Sequence, residues 1–375
     1  MQPNSKKTSA KSFVILGHHL DPHAHYVSWA LGAAGYQTTF VNSWHDNCPT
    51  GTTLYIDQSV DDFSSAEWDN ADAVWYRRLA APPDKEEGDG DEFTAVEDRR
   101  FTKWLIGMQE DRPIRWINRP SAAQAAENKF RQLKFARLHG LRIPRTLVTA
   151  QPDRFRAFLK KEGVVVAKAL DAFSWELESG ETLAAFATVL DLARGSQLSD
   201  EDIAQCVTVY QQRINKVADV RMVVMGTDVY AFKVLQLREQ HFDFRIGFYQ
   251  PNQLRYEEIP VPTAVQQRIV GLMSSLGINF TSADFAVQAD GEWVFLDLNP
   301  NGQWLFVEEG CPESRLGQKF CSFFANTREP GAAETLFPSF AQYVESDAAR
   351  AMREECLRCS SAQAPSATSR KESHG

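Results

Sequence analysis

Residues 282–304 read SADFAVQADGEWVFLDLNPNGQW, two alternating apolar runs with Asp290-Gly291 between them. The alternation predicts a β-hairpin, and Asp-Gly suits a two-residue turn. With that turn Ala289 faces Glu292, and the register sets Asp284 directly opposite Asp297. Asn299, two residues on, lies on the same face. Two facing carboxylates repel each other, so a purely structural hairpin would avoid them. A hard cation between them makes sense of the pair, because magnesium takes carboxylate and amide oxygens and leaves its other positions to water and phosphate. A one-residue change in loop length would turn one carboxylate to the other face. The alternative is a pair of solvated acids at a strand end.

The chain has 375 residues, 43% of them hydrophobic, enough to bury a large core in two or three domains. A net charge of −9 argues against a nucleic-acid binder, which would carry a basic stripe. The N-terminal MQPNSKKTSAK is polar, with no apolar run behind it long enough for a signal sequence. No stretch approaches the ~20 apolar residues of a membrane span. Six scattered cysteines then read as reduced thiols in the cytoplasm. Cys356 and Cys359 form a lone CxxC pair, too little to define a metal or redox site.

Working back towards the N-terminus, the pattern is α/β and then α+β. Phe13–Leu16, Thr38–Val41 and Ala73–Tyr76 read as strands, with a helix from Tyr26 to Gly35. His18, His19, Asp21, His23 and His25 follow the first strand. Zinc could use such groups, but this spacing in a Pro-containing loop specifies no tetrahedral site, and the reading is a polar strand-to-helix loop. The run PPDKEEGDGDEF (82–93) is a solvated acidic loop. From Ser121, expected to cap it, a helix runs past Lys129 to His139-Gly140. Lys168 ends the apolar strand 163–168, where a lysine either snorkels or meets an anion. Residues 173–181 form a polar, Gly-containing connection, suited to a flexible phosphate-covering loop. There is no GxxxxGK[ST] motif. Strands follow at 207–214, 219–226 and 229–234; Asp243 to Arg245 is a polar strand-like stretch, and 263–277 is a helix. The expected domains are a flexible 1–12, an α/β domain 13–118, a lysine-bearing unit 119–205, a sheet-rich unit 206–345 and a largely disordered tail 346–375.

Lys129, Lys168, the strand Tyr210 to Ile214, Asp219-Val-Arg221, Arg245, Asp284, Asp297 and Asn299 occur in one order. With VWYRR (74–78), INRP (117–120), ENKFRQLKFARLHGLRIPRTLVT (127–149), DVRMVVMG (219–226) and FLDLNPNGQWLF (295–306), the chain resembles the ATP-grasp superfamily. Within it the resemblance is to the microviridin-type peptide maturases, the graspetide synthetases, over Phe13 to Glu309. The Asn-Pro-Asn-Gly-Gln-Trp ending is the specific part.

The resemblance implies an ATP-grasp fold behind an N-terminal α/β (pre-ATP-grasp) domain. It implies a ligase that phosphorylates a carboxylate with ATP and lets a hydroxyl or amine displace the phosphate. Lys129 and Lys168 would neutralise phosphate oxygens, and the backbone of Gln211, Gln212, Arg213 and Ile214 would meet the adenine edge, with Asp219 near the nucleotide. Arg245 would clamp the transferred phosphate; Asp284, Asp297 and Asn299 would hold magnesium. The expected partner is a precursor peptide, and not a nucleic acid or a membrane; a homodimer is compatible with it. Arg77 and Arg78, at a strand end, either contact that peptide or merely solvate the end of the strand. Three positions depart from the family: Asp297 replaces a glutamate, Gln212 an acidic hinge residue, and Phe306 a tryptophan. A ligase of free amino acids or a small acid, and a nucleotide-binding module without catalysis, are the competing readings.

Overall fold

The computed structural model describes residues 11–17, 20–41, 55–56, 61–62, 71–78, 110, 113–170, 174–176, 182–184, 187–238, 240–249, 253–327 and 336–362. It forms two compact units, one of Met1–Trp104 with Arg315–Gly375, the other of Leu105–Ser314.

In the first unit three parallel strands lie in the order Gln37–Val41, Ser12–Gly17, Ala73–Arg78. The helix Pro22–Ala33 starts one turn earlier than its apolar spacing suggests. Asp21 caps it by accepting from the His23 and Ala24 amides, and Pro22 sits where a missing N–H costs nothing. The last part of the chain completes this core. Phe320 of the helix Leu316–Ala325 packs on Trp75 at 4.6 Å between ring centroids, and Phe324 on Phe13 at 5.1 Å. Gly317 permits the approach, since a Cβ there would stand 2.4 Å from the Tyr26 ring. Residues from Arg315 onward thus belong with the first sheet, not with the acid hairpin to which sequence order assigns them. Nor is the tail structureless: Asp347–Ala362 is a helix, anchored by buried Ala349 and Met352. A two-residue i, i+3 contact is too narrow a stripe to stand out among Arg, Glu and Ser.

The second unit has two antiparallel sheets. The smaller runs in the order Thr188–Asp191, Val164–Lys168, Thr208–Gln212, Thr146–Thr149, and the helix Pro152–Glu162 buries Phe155 and Leu159 against Val165 and Tyr210. The larger runs Leu254–Ile259, Asp228–Gln236, Lys216–Met225, Phe280–Gln288, Trp293–Asn299. One of its faces is apolar (Val220, Met222, Val224, Ala283, Phe285) and packs on Ile269, Leu272 and Met273 of the helix Thr263–Leu276. The period of two then sends Asp219, Arg221 and Asp284 to the other face.

The expected single helix beyond Ser121 is two, Pro120–Glu127 and Lys129–Leu138. Asn128 breaks it with ψ 108° and caps the second by accepting from the Arg131 amide. Ser121 is not a cap; its backbone N–H and hydroxyl donate to the Glu110 carboxylate. Asp243 to Arg245 is not strand-like either, since a 3-10 helix runs from Phe244 to Tyr249. Within 173–181, residues Ser174–Glu176 pair with Thr182–Ala184 as a two-stranded ribbon, and 177–181 lie outside the described residues. So do the acidic run 82–93, His18 and His19. No helix among the described residues is long and apolar enough to cross a membrane.

Candidate functional site

The hairpin turn is one residue longer than expected. Gln288 pairs with Glu292 around Ala289, Asp290 and Gly291, with Gly291 at φ +81° and its amide bonded to the Gln288 carbonyl. This is the three-residue loop that needs a left-handed residue in third place. The added residue does not displace the acids, because the pairing shifts back within the hairpin. Phe285 pairs with Phe295, yet Asp284 pairs with Asp297, leaving Leu296 as the extra residue of a β-bulge. Phe295 therefore enters the apolar core, while Leu296 and Asp297 both turn to the cleft.

A second bulge does the same on the neighbouring strand. The pairing shifts between Lys216 and Ala218, leaving Val217 exposed. Three residues apart, Lys216 and Asp219 would face opposite ways on a regular strand. Here the Lys216 ammonium donates to Asp219 at 2.7 Å and to the Phe242 carbonyl at 2.7 Å. Burial raises the Asp219 pKa, and the Lys216 charge opposes that rise.

Between the two sheets these elements line one cleft. Lys129, Lys168, Gln211, Gln212, Ile214, Asp219, Arg245, Asp284 and Asp297 all border it. Lys129 opens its helix and donates to the Ala169 carbonyl at 3.2 Å. Lys168 ends its strand; burial lowers its pKa, the Asp297 charge opposes this, and Arg245 and Lys129 push it lower still. Arg245 makes a two-pronged contact with buried Asp243, Nε to Oδ1 at 2.8 Å and Nη2 to Oδ2 at 2.6 Å. Burial alone would raise the Asp243 pKa, but those bonds hold it below its ordinary value. Opposite them, Arg221 donates to Asp284 at 3.0 Å and to the Gln303 carbonyl at 3.1 Å.

Of the residues predicted to meet nucleotide or metal, Arg213 and Asn299 lie outside the cleft lining. The Arg213 side chain stacks over Phe242 at 5.4 Å instead. The Asn299 amide oxygen accepts from the Asn301 backbone at 2.9 Å, at the end of the strand. Arg77, expected to meet a ligand, is 3% exposed in the first unit and is held by Asp21 at 3.0 Å and His23 at 3.3 Å. Burial would raise the Asp21 pKa, but the His23 hydrogen bond and the Arg77 charge bring it well below the carboxylate range. Arg78 follows on the same strand, and its side chain lies outside the described residues.

Sequence reading missed the supports of the acid strand. Gln132, 2% exposed, donates to the Leu298 carbonyl at 2.7 Å and accepts from its amide at 3.1 Å, serving the edge as a neighbouring strand would. Asn118 donates to the carbonyls of Phe280 and Pro300 and accepts from the amides of Asn279 and Phe280. At Gly302 a Cβ would meet the Ser282 backbone nitrogen at 2.5 Å. A polar residue on the inward side of a predicted helix, as at Gln132, was the available signal. Among the described residues no cluster of three or more His, Cys, Asp or Glu side chains could hold a metal. Asp284 and Asp297 face each other in register, an all-oxygen pair of the kind a hard cation takes.

Two sheets enclosing a cleft with cations on one side and carboxylates on the other are the features of an ATP-grasp fold, and this chain has that fold. Neither a protein-family model nor a curated protein matches the sequence. Solved structures do. One is a RiPP-associated ATP-grasp ligase of Chryseobacterium gregarium in complex with ADP and a leader and core peptide, at 21% identity and TM-score 0.73, covering 85% of this chain and 98% of that one. Another is the macrocyclase MdnC of Microcystis aeruginosa bound with precursor peptide MdnA, at 21% identity and TM-score 0.69, covering 84% and 99%. The macrocyclase MdnB of the same organism has 24% identity and TM-score 0.64, covering 84% and 99%.

Proposed function

We propose that the chain is an ATP-dependent ligase that activates a carboxylate of a peptide as an acyl phosphate and joins it to a hydroxyl or amine of the same peptide. The observation that carries this is the cleft itself, where Lys129, Lys168 and Arg245 line the same space as the facing pair Asp284 and Asp297. Point-charge lysines and a planar guanidinium suit phosphate oxygens. The carboxylate pair suits magnesium, which would neutralise charge on the transferred phosphate when bound.

A carboxylate oxygen attacks the γ-phosphorus and ADP leaves; the hydroxyl or amine then attacks the acyl carbon, loses its proton, and expels phosphate. The work of the chain's own residues is positioning and charge neutralisation. Lys168 and Lys129 hold the phosphates, Arg245 meets the transferred phosphoryl group, and Gln211, Gln212 and Ile214 border the base. Asn299, whose amide oxygen accepts from Asn301, would join the metal through the oxygen's remaining lone pair. Asp243 keeps Arg245 extended and oriented. The Chryseobacterium relative, solved with ADP and peptide, supports the choice of a peptide substrate. We assign the reaction to the cytoplasm, where the scattered cysteines remain reduced.

The test is mass spectrometry of a peptide bearing Thr, Ser or Lys together with Asp or Glu, incubated with the chain, ATP and magnesium. Loss of one water per crosslink, with one ADP released for each, is the expected outcome. ADP release with free amino acids and none with any peptide would replace this reading by a small-acid ligase.

A further inference from the structure

The helix Lys129–Leu138 reads KFRQLKFARL, four cations and no acid in a chain of net charge −9. Its inner face is fully used: Leu133 and Ala136 join the apolar core, and Gln132 serves the acid strand. Its outer face holds two of the most exposed large apolar side chains among the described residues, Phe130 and Leu138, each 69% exposed. They are eight residues apart, hence about two turns and ~12 Å along one stripe. Lys134 lies between them on the same stripe, and Arg131 and Arg137 flank it. Arg131 stacks over Phe135 at 5.3 Å, and none of these three cations has a carboxylate partner among the described residues. Beside the stripe runs a shallow groove of about 640 Å³, with Phe130, Phe135, Arg131 and Lys134 in its walls.

Solvated helix faces normally mix charges and avoid large apolar groups, which lower solubility. Here apolar anchors alternate with uncompensated positive charge. We propose that this face docks an acidic amphipathic segment of the peptide substrate, its apolar side chains spaced to meet Phe130 and Leu138 and its carboxylates to meet Arg131, Lys134 and Arg137. Charge complementarity selects the occupant: exposed cations without carboxylate partners among the described residues call for an acidic segment, and an apolar partner would leave them without function. The inference rests on the ligase reading for the peptide's role. The helix also places the docked segment usefully, because Lys129 lines the phosphate cleft and its neighbour Phe130 lines the groove. A peptide held along the helix therefore begins beside the cleft.

The test uses the full chain and a fluorescein-labelled twelve-residue peptide of alternating Glu and Leu character, with its Lys-for-Glu counterpart as control. Fluorescence anisotropy without ATP should show binding of the acidic peptide and not of the basic one. Phe130→Ser with Leu138→Ser, and separately Arg131→Glu with Lys134→Glu, should each weaken that binding at least roughly tenfold. Affinity for a fluorescent ATP analogue should stay within about twofold in both variants, which also shows that they fold. Unchanged peptide binding in either variant overturns the proposal, as does failure of the parent chain to prefer the acidic peptide. So does sedimentation in which the parent chain is a dimer and the variants monomers, or binding of the parent to phosphatidylserine vesicles with no peptide preference. None of these outcomes touches ADP release by the cleft, so the ligase reading stands or falls separately.

Discussion

Arg221 and Asp284 sit directly opposite on adjacent strands, and the guanidinium reaches the carboxylate at 3.0 Å with both groups largely buried. Asp297, opposite Asp284 on its other side, has no ion pair of that kind among the described residues. The two acids of one pair therefore differ in what their loss does. Asp284→Asn strands a buried guanidinium and should cost about 2–4 kcal/mol of stability together with activity. Asp297→Asn relieves that repulsion but removes a counter-charge of Lys168, so it should abolish magnesium-dependent ADP release while shifting the melting temperature less than Asp284→Asn does. Thermal melts and ADP assays on both variants decide it; equal destabilisation by the two would refute the asymmetry.

Burial works against the charge of Lys168 in the cleft, and Asp297 partly sustains it. Lys168→Met should weaken ATP binding by ~1.5–3 kcal/mol, about 10- to 150-fold. Isothermal titration with a non-hydrolysable ATP analogue reads this directly, and an unaltered affinity would make Lys168 a snorkelling residue with no anion to meet.

In the first unit, Arg77→Ala leaves Asp21 and His23 without their shared partner. A loss of ~2–4 kcal/mol is expected, with nucleotide affinity unaffected. Because Asp21 titrates below its ordinary value of 3.8, its stabilisation is complete above about pH 5 and is lost as the pH falls towards the lowered value. Urea unfolding between pH 3 and 6 should show that slope, shallower in Asp21→Asn. A variant Arg77→Ala that melts normally but demands more peptide would return Arg77 to a ligand-binding role.

Gln132→Ala removes both hydrogen bonds to Leu298 at the edge next to Asp297. About 1–3 kcal/mol of stability should go. The magnesium concentration for half-maximal ADP release should also rise, because the acid strand loses its lateral support. Gln132→Ala with normal magnesium dependence would confine the residue to packing.

The acid pair and its cross-strand partnership were legible from residues 282–304, since alternation and an Asp-Gly turn are local signals. The route to that pairing was not. A loop one residue longer and a bulge at Leu296 compensate each other, and neither leaves a mark in the hydrophobic pattern. The bulge at Val217 hid Lys216 for the same reason, since plain alternation puts residues three apart on opposite faces. The burial of Arg77 was hidden because its position at a strand end says nothing of Asp21, fifty-six residues earlier. Asn128 concealed a helix break, being tolerated within helices as well as favoured at their caps.

The packing of Phe320 and Phe324 onto Trp75 and Phe13 has a consequence for the order of events at the ribosome. Domains commonly fold as they emerge, the N-terminal one first. In this chain that order should reverse, because the aromatic partners of its first strands lie beyond Arg315 and are synthesised last. The continuous unit Leu105–Ser314 can close in the meantime. A nascent chain stalled before residue 315 should therefore protect the later unit from protease while the earlier one is still cut.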